Sequence, residues 1–236
     1  MVIPVYDEDH RPRHPRPWVM WVLLGVNVLV LVYLWLLTAE ALQIIVFNFG
    51  VVSAFITRSI SLDDLNLLMP PVLTLVTYTF LHGGWLHLAG NMIFLWVLGD
   101  NIEAALGHLR FFLFYLLCGV AGGLAQVASE PSSLVPVIGA SGAVSGVVAA
   151  YLMLRPWAHI TVLLFGIITM RVHALWLLGA WIAWQVLNVL LFSNTGISYW
   201  SHVGGLIAGA GLVVVLRRPG VKLFQSHVAR RTKTAG

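Results

Sequence analysis

The chain has 236 residues, 59% of them hydrophobic and only 9% charged, where a soluble domain carries roughly a quarter. That much apolar surface cannot be buried in one small water-soluble core, so lipid must be part of the solvent. The net charge of +4 is meaningful by position rather than as a nucleic-acid signal, and no nucleic-acid partner is expected. The lone cysteine, Cys118, excludes an intrachain disulfide.

In chain order, a polar head (DEDHRPRHPRP, residues 7–17) precedes the first apolar run. It lacks a small-residue cleavage site, so that run reads as a retained anchor. A membrane span needs about 20 mostly apolar residues. Runs of this kind predict helices near 18–38, 85–99, 111–128, 139–154, 172–192 and 198–216. Between the first two lies an outer loop, 39–84, apolar enough to lie partly in the interface but broken by Asn48, Gly50, Arg58 and Pro70-Pro71. Residues 157–168 are too short and too β-branched to count as a span. The predicted fold is all-α, a polytopic membrane bundle of six transmembrane helices over 18–216. A cytoplasmic segment, 1–17, precedes it, and a basic cytoplasmic tail, 217–236, close to anionic lipid headgroups, follows.

Orientation follows from the basic residues. Arg11, Arg13, Arg16, Arg110, Arg155, Arg171, Arg217, Arg218, Lys222, Arg230, Arg231 and Lys233 fall on one side of a six-span chain, and Arg58 alone on the other. The positive-inside rule places both termini in the cytoplasm, which for a prokaryote means the plasma membrane. A seventh span would put the basic tail outside.

Polar side chains inside spans are costly and therefore functional candidates. Here they are His87 and Asn91 in the second span, Ser141 and Ser145 in the fourth, Gln185 and Asn188 in the fifth and His202 in the sixth. His87, Asn91, Ser141 and His202 share one layer in the outer third. His202, Gly205 and Gly209 form a stripe at i, i+3, i+7, while Gly142 and Gly146 form a small-xxx-small pair. Such stripes let helix backbones approach closely. Packing the fourth span on the sixth would bring a serine within reach of a histidine base. Each residue alone has a plainer reading. A serine among glycines packs helices, a histidine at a span end caps, and Asn91 bridges helices. Ser145, Gln185 and Asn188 read as packing or interhelical polar groups, and Trp176, Trp181 and Trp184 as facing lipid or packing.

The stretches HGGWLHLAGNM (82–92), LGDNIEAALGHLRFFLFYLLCGVAGG (98–123), GASGAVSG (139–146) and SHVGGLIAGAG (201–211) resemble the rhomboid intramembrane serine proteases, in the family's order over 70–216. The resemblance implies that Ser141 is the nucleophile and His202 the general base. It implies that His87 and Asn91 stabilise the oxyanion with backbone N–H groups at Ser141 and Gly142. Supporting places fall to His82, Gly139, Ser145, Gly205 and Gly209. Two features depart from the pattern. Ser145 stands where well-known members carry an aromatic residue one turn after the nucleophile, and 39–84 lacks a Trp-Arg pair.

Asp100 and Glu103 lie at the inner end of the second span, so a Ser-His dyad is expected, with packing holding the imidazole. No cofactor or metal is expected, since the fourth residue after His87 is Asn91 rather than a second histidine. The partners implied are transmembrane protein substrates, single-pass or other, and membrane lipid. The rival reading is a catalytically silent rhomboid-like protein that binds or escorts membrane clients.

Overall fold

A computed structural model describes residues 2–7, 16–63, 65–164, 167–191 and 198–225. Of the expected cytoplasmic segments, residues 8–15 and 226–236, with Arg11, Arg13, Arg230, Arg231 and Lys233, lie outside the described residues.

The chain opens with β1 (Val2–Asp7) and α1 (Trp18–Trp35). The outer segment follows as α2 (Ala39–Phe49), α3 (Ser53–Thr57) and α4 (Thr74–Thr77), the last flanked by single 3-10 turns. The bundle continues with α5 (Trp85–Leu106), α6 (His108–Ser129) and α7 (Ser141–Leu154). Then come β2 (His159–Leu164), β3 (Ile168–His173), α8 (Ala174–Leu191) and α9 (Tyr199–Leu216). The long helices α1 and α5–α9 coincide with the six predicted spans. Four of them, α1, α6, α8 and α9, are long and apolar enough to cross a membrane by themselves.

The helix α5 outruns its predicted inner end at 99 because the polar residues there are used. The Asn101 amide donates to Asp7 at 2.6 Å. The Glu103 carboxylate accepts the backbone N–H groups of Val19 (3.0 Å) and Met20 (2.7 Å) and pairs with His108. Pro17 precedes α1 without a side-chain capping bond. The carboxylate therefore takes two of the orphan N–H groups at its positive end. The helix stops at Gly107, whose φ of +91° suits only glycine, and α6 starts one residue later.

The ends of the helices identify the two faces of the bundle. Arg218 N–H bonds Ala105 C=O (2.9 Å), Phe224 N–H bonds Met153 C=O (2.8 Å), and the Arg110 guanidinium bonds Leu216 C=O (3.3 Å). One end thus gathers the tails of α5, α7 and α9 with the head of α6, and Arg110, Arg155, Arg217 and Arg218 with them. Arg58 lies at the other end, directly after the short helix α3, which is joined to the α6–α7 connection by Ala54 N–H to Ser133 C=O (3.0 Å).

A three-stranded antiparallel sheet, ordered β1-β2-β3, accompanies the helices and was not assigned from the sequence. The β-branched stretch after α7 turns back on itself, pairing His159 with His173, while Asp7 of β1 pairs with Ile160. Ile160 and Val162 point into the core.

The core is built around α7, in which every residue from Gly142 to Tyr151 is buried. The helices α5, α6 and α9 surround it, and α8 lies outside with four buried residues, Ala174, Leu178, Gln185 and Asn188. The closest approach is between α7 and α9. A Cβ at Gly205 would run into the carbonyl oxygen of Gly142, and one at Gly209 into that of Gly146. Only hydrogen at these positions permits backbone-to-backbone contact, which is how membrane helices without a hydrophobic drive between them gain dispersion. At 14 residues α7 is about 21 Å long, well short of the ~30 Å hydrocarbon core. A helix of this length cannot reach both interfaces.

The cap on α1 gives a direct expectation. Glu103→Ala lowers the unfolding free energy by about 2 kcal/mol, measured by thermal or denaturant unfolding in micelles. An unchanged unfolding curve would mean that α1 does not depend on this carboxylate.

Candidate active site

A cavity of about 970 Å³ sits above the outer end of α7, and Ser141, His202, His87 and Asn91 all line it. Ser141 is the first residue of α7, so its Oγ sits beside the first-turn N–H groups, which have no carbonyl within the helix to bond. Those amides, including that of Gly142, form a ready site for negative charge.

The approach to Ser141 is shaped by Gly139, whose φ is +130°. Its N–H donates to Tyr78 C=O at 3.0 Å. The point its Cβ would occupy lies 2.7 Å from His87 Nε2 and 3.9 Å from Ser141 Oγ. The missing side chain thus leaves a small space bordered by the imidazole and the hydroxyl. His82 is buried behind it, 5.2 Å from the His87 ring in an edge-on contact, and its Nε2 accepts the Ala140 N–H at 3.5 Å. Burial, with the His87 ring nearby, pushes the pKa of His82 down to about 4, so it is neutral at pH 7 and serves as an acceptor. Asn91, one turn into α5 from His87, donates one amide hydrogen to His87 C=O at 3.2 Å.

Beneath Ser141 the helices are cross-linked. Tyr78 OH donates to Gly119 C=O at 2.7 Å and lies 3.3 Å from Ser201 Oγ. A Cβ at Gly142 would come within 2.8 Å of Ser201 Oγ and 3.0 Å of Tyr78 OH. Neither Tyr78 nor Ser201 was singled out from the sequence, because the tyrosine lies in the outer segment and its target helix is not encoded locally. Ser145 is fully buried and donates to Ser141 C=O at 2.6 Å. That hydroxyl is spent within its own helix.

His202, on α9, is held more fully than an imidazole in a packed slot. Its Nδ1 lies 2.8 Å from Gln185 Oε1. The Trp181 ring stacks on it at 6.2 Å and 26°, and Tyr199 meets it edge-on at 5.9 Å. These contacts make three expectations specific. Gln185, expected as an interhelical polar group, makes its interhelical bond to the imidazole itself, so packing alone does not hold the ring. Trp181 faces the histidine and also Phe94 of α5 (5.7 Å), Trp184 is exposed at the rim of the cavity, and Trp176 is exposed. The aromatic contact missing at Ser145 is supplied from α8 and α9. Asn188, in contrast, bonds its own helix at Trp184 C=O (2.7 Å). Among the described residues, no three His, Cys, Asp or Glu side chains gather as a metal site.

The Rhomboid domain profile matches residues 70–219, and the chain belongs to the rhomboid family. It is 31% identical over 183 residues to Rhomboid-like protein 11 of Arabidopsis thaliana chloroplasts, covering 74% of this chain and 64% of that one. To Rhomboid protease GluP of Bacillus subtilis it is 31% identical over 156 residues, 64% of this chain and 27% of GluP. To Inactive rhomboid protein 1 of Drosophila melanogaster it is 35% identical over 85 residues, 36% of this chain and 6% of that one. The chain thus spans less than two thirds of the length of these relatives. The family and the apolar helices make it an integral membrane protein.

Gly139 supplies the test of this geometry. Gly139→Ala combines a disfavoured backbone with a collision against His87; on the serine-nucleophile reading proposed below, labelling by a fluorophosphonate falls about tenfold or more while helix content stays unchanged. Labelling at the unaltered rate would show that the space over Gly139 is not used.

Proposed function

We propose that the chain is an intramembrane serine endopeptidase that cleaves transmembrane protein substrates near the outer membrane face. The observation that carries the reading is the shared cavity, lined by Ser141 on a helix N-terminus and by His202, whose Nδ1 is already engaged.

Ser141 Oγ attacks a substrate carbonyl as His202 Nε2 accepts its proton, and the tetrahedral oxyanion is met by the first-turn N–H groups of α7, Asn91 and His87. One such donor is worth about 2.7–4 kcal/mol in comparable hydrolases. Collapse of the intermediate expels the amine, which takes the proton from His202. Water then enters from the outer face and attacks the acyl carbon while giving a proton to the same nitrogen; collapse breaks the bond to Ser141 Oγ, which takes that proton back from His202 as the acid product leaves.

A helix keeps its carbonyls in internal hydrogen bonds, so a substrate segment must unwind to offer one, which favours stretches with glycine or proline. It enters sideways between α5 and α8, where Phe94 and Trp181 meet. The basic residues gathered at the opposite end support a cytoplasmic location for both termini, and we assign the chain to a prokaryotic plasma membrane.

The match to an inactive relative supports one alternative, a silent protein that binds membrane clients. A reporter transmembrane segment separates the two. Wild type cuts it, while Ser141→Ala and His202→Ala lose at least 10³-fold in rate yet insert and fold. Binding of the reporter without cleavage by wild type favours the silent reading, and cleavage by Ser141→Ala contradicts the assignment of the nucleophile.

A further inference from the structure

We infer that Gln185 is the positioning residue of the site, an amide that selects the tautomer of His202. The inference rests on the proposed roles of Ser141 and His202. An imidazole serving as base must carry its hydrogen on one nitrogen and a free lone pair on the other, and a neighbouring hydrogen bond decides which. The Oε1 atom of Gln185 is only an acceptor. At 2.8 Å from His202 Nδ1 it stabilises the Nδ1–H form and leaves the Nε2 lone pair for the serine proton. Once Nε2 has taken that proton, the same oxygen still faces a donor, so the bond persists through the reaction with nothing to rearrange.

The surroundings make the bond selective. Gln185 is 5% exposed and His202 9%, so water competes poorly for either group. Trp181, one turn away on α8, stacks on the ring and fixes its plane, and the amide then fixes its rotation within that plane. Both side chains come from α8, the least embedded of the bundle helices beside the site. The base is therefore held by the helix that lines the sideways entrance. An intact contact between α8 and α9 becomes a condition for turnover, although α8 itself contributes no reacting atom.

The test uses two substitutions of similar length in the full chain. Gln185→Met keeps the bulk and removes the acceptor, whereas Gln185→Glu keeps an oxygen at the same reach. Steady-state cleavage of the reporter segment by each is compared with wild type and Ser141→Ala, with thermal unfolding recorded for all. The expected result is a fall of about tenfold in kcat for Gln185→Met, with KM and unfolding temperature unchanged, and recovery to within about threefold of wild type for Gln185→Glu at neutral pH. Equal kcat values for Gln185→Met, Gln185→Glu and wild type overturn the role, as does a rise in KM or a fall in unfolding temperature shared by both variants with kcat unaltered. Absence of cleavage by wild type overturns the protease reading, and cleavage that survives in Ser141→Ala overturns the nucleophile assignment; either removes the basis of the positioning role.

Discussion

Everything at the outer end of this bundle depends on two helices meeting backbone to backbone. Gly205 and Gly209 of α9 lie against the carbonyls of Gly142 and Gly146 of α7, where a methyl group has no room. In lipid, no hydrophobic force pushes two helices together, and close packing of small residues replaces it. The contact fixes the depth of one helix against the other, and so the level at which the first residue of α7 meets the first turn of α9. Ser141 and His202 occupy those places.

The shortness of α7 makes the contact chemically useful. A helix of about 21 Å cannot reach both interfaces, and its first residue, Ser141, lines an open cavity. Surrounding helices supply what it lacks. Tyr78 and Ser201 bridge beneath it, His82 receives the Ala140 N–H, and Gly139 turns the chain with a φ that keeps the space by His87 clear. At the far end, Glu103 pins the start of α1, and β1 pairs with the strand that follows α7. The embedded centre is thus held from both ends, and α8 remains the lightly buried flank.

How much of this was readable in the sequence depended on how local each signal was. Spans 18–216 were legible because run length and the distribution of arginine are properties of contiguous residues. The small-xxx-small pair and the stripe below His202 identified the mutual faces of α7 and α9, since helical spacing specifies a face. Gln185 carried no such marker. It sits in a tryptophan-bearing span, and only the packing of α8 on α9 turns it toward an imidazole 17 residues later. The sheet was hidden for a related reason. Strands of six residues give weak periodicity, and β1 finds its partner more than 150 residues along the chain. Asp100 and Glu103 looked like an end signal for α5, whereas capping and pairing let the helix run on to Gly107.

The most direct measurement is an experimental structure of the protein, in lipid, after reaction with a fluorophosphonate. The account predicts phosphorus bonded to Ser141 Oγ, the His202 imidazole within hydrogen-bond reach of the adduct, and α7 and α9 still touching at their glycines. An adduct on another residue, or an imidazole farther from the phosphorus oxygens than one bridging water spans, would contradict it.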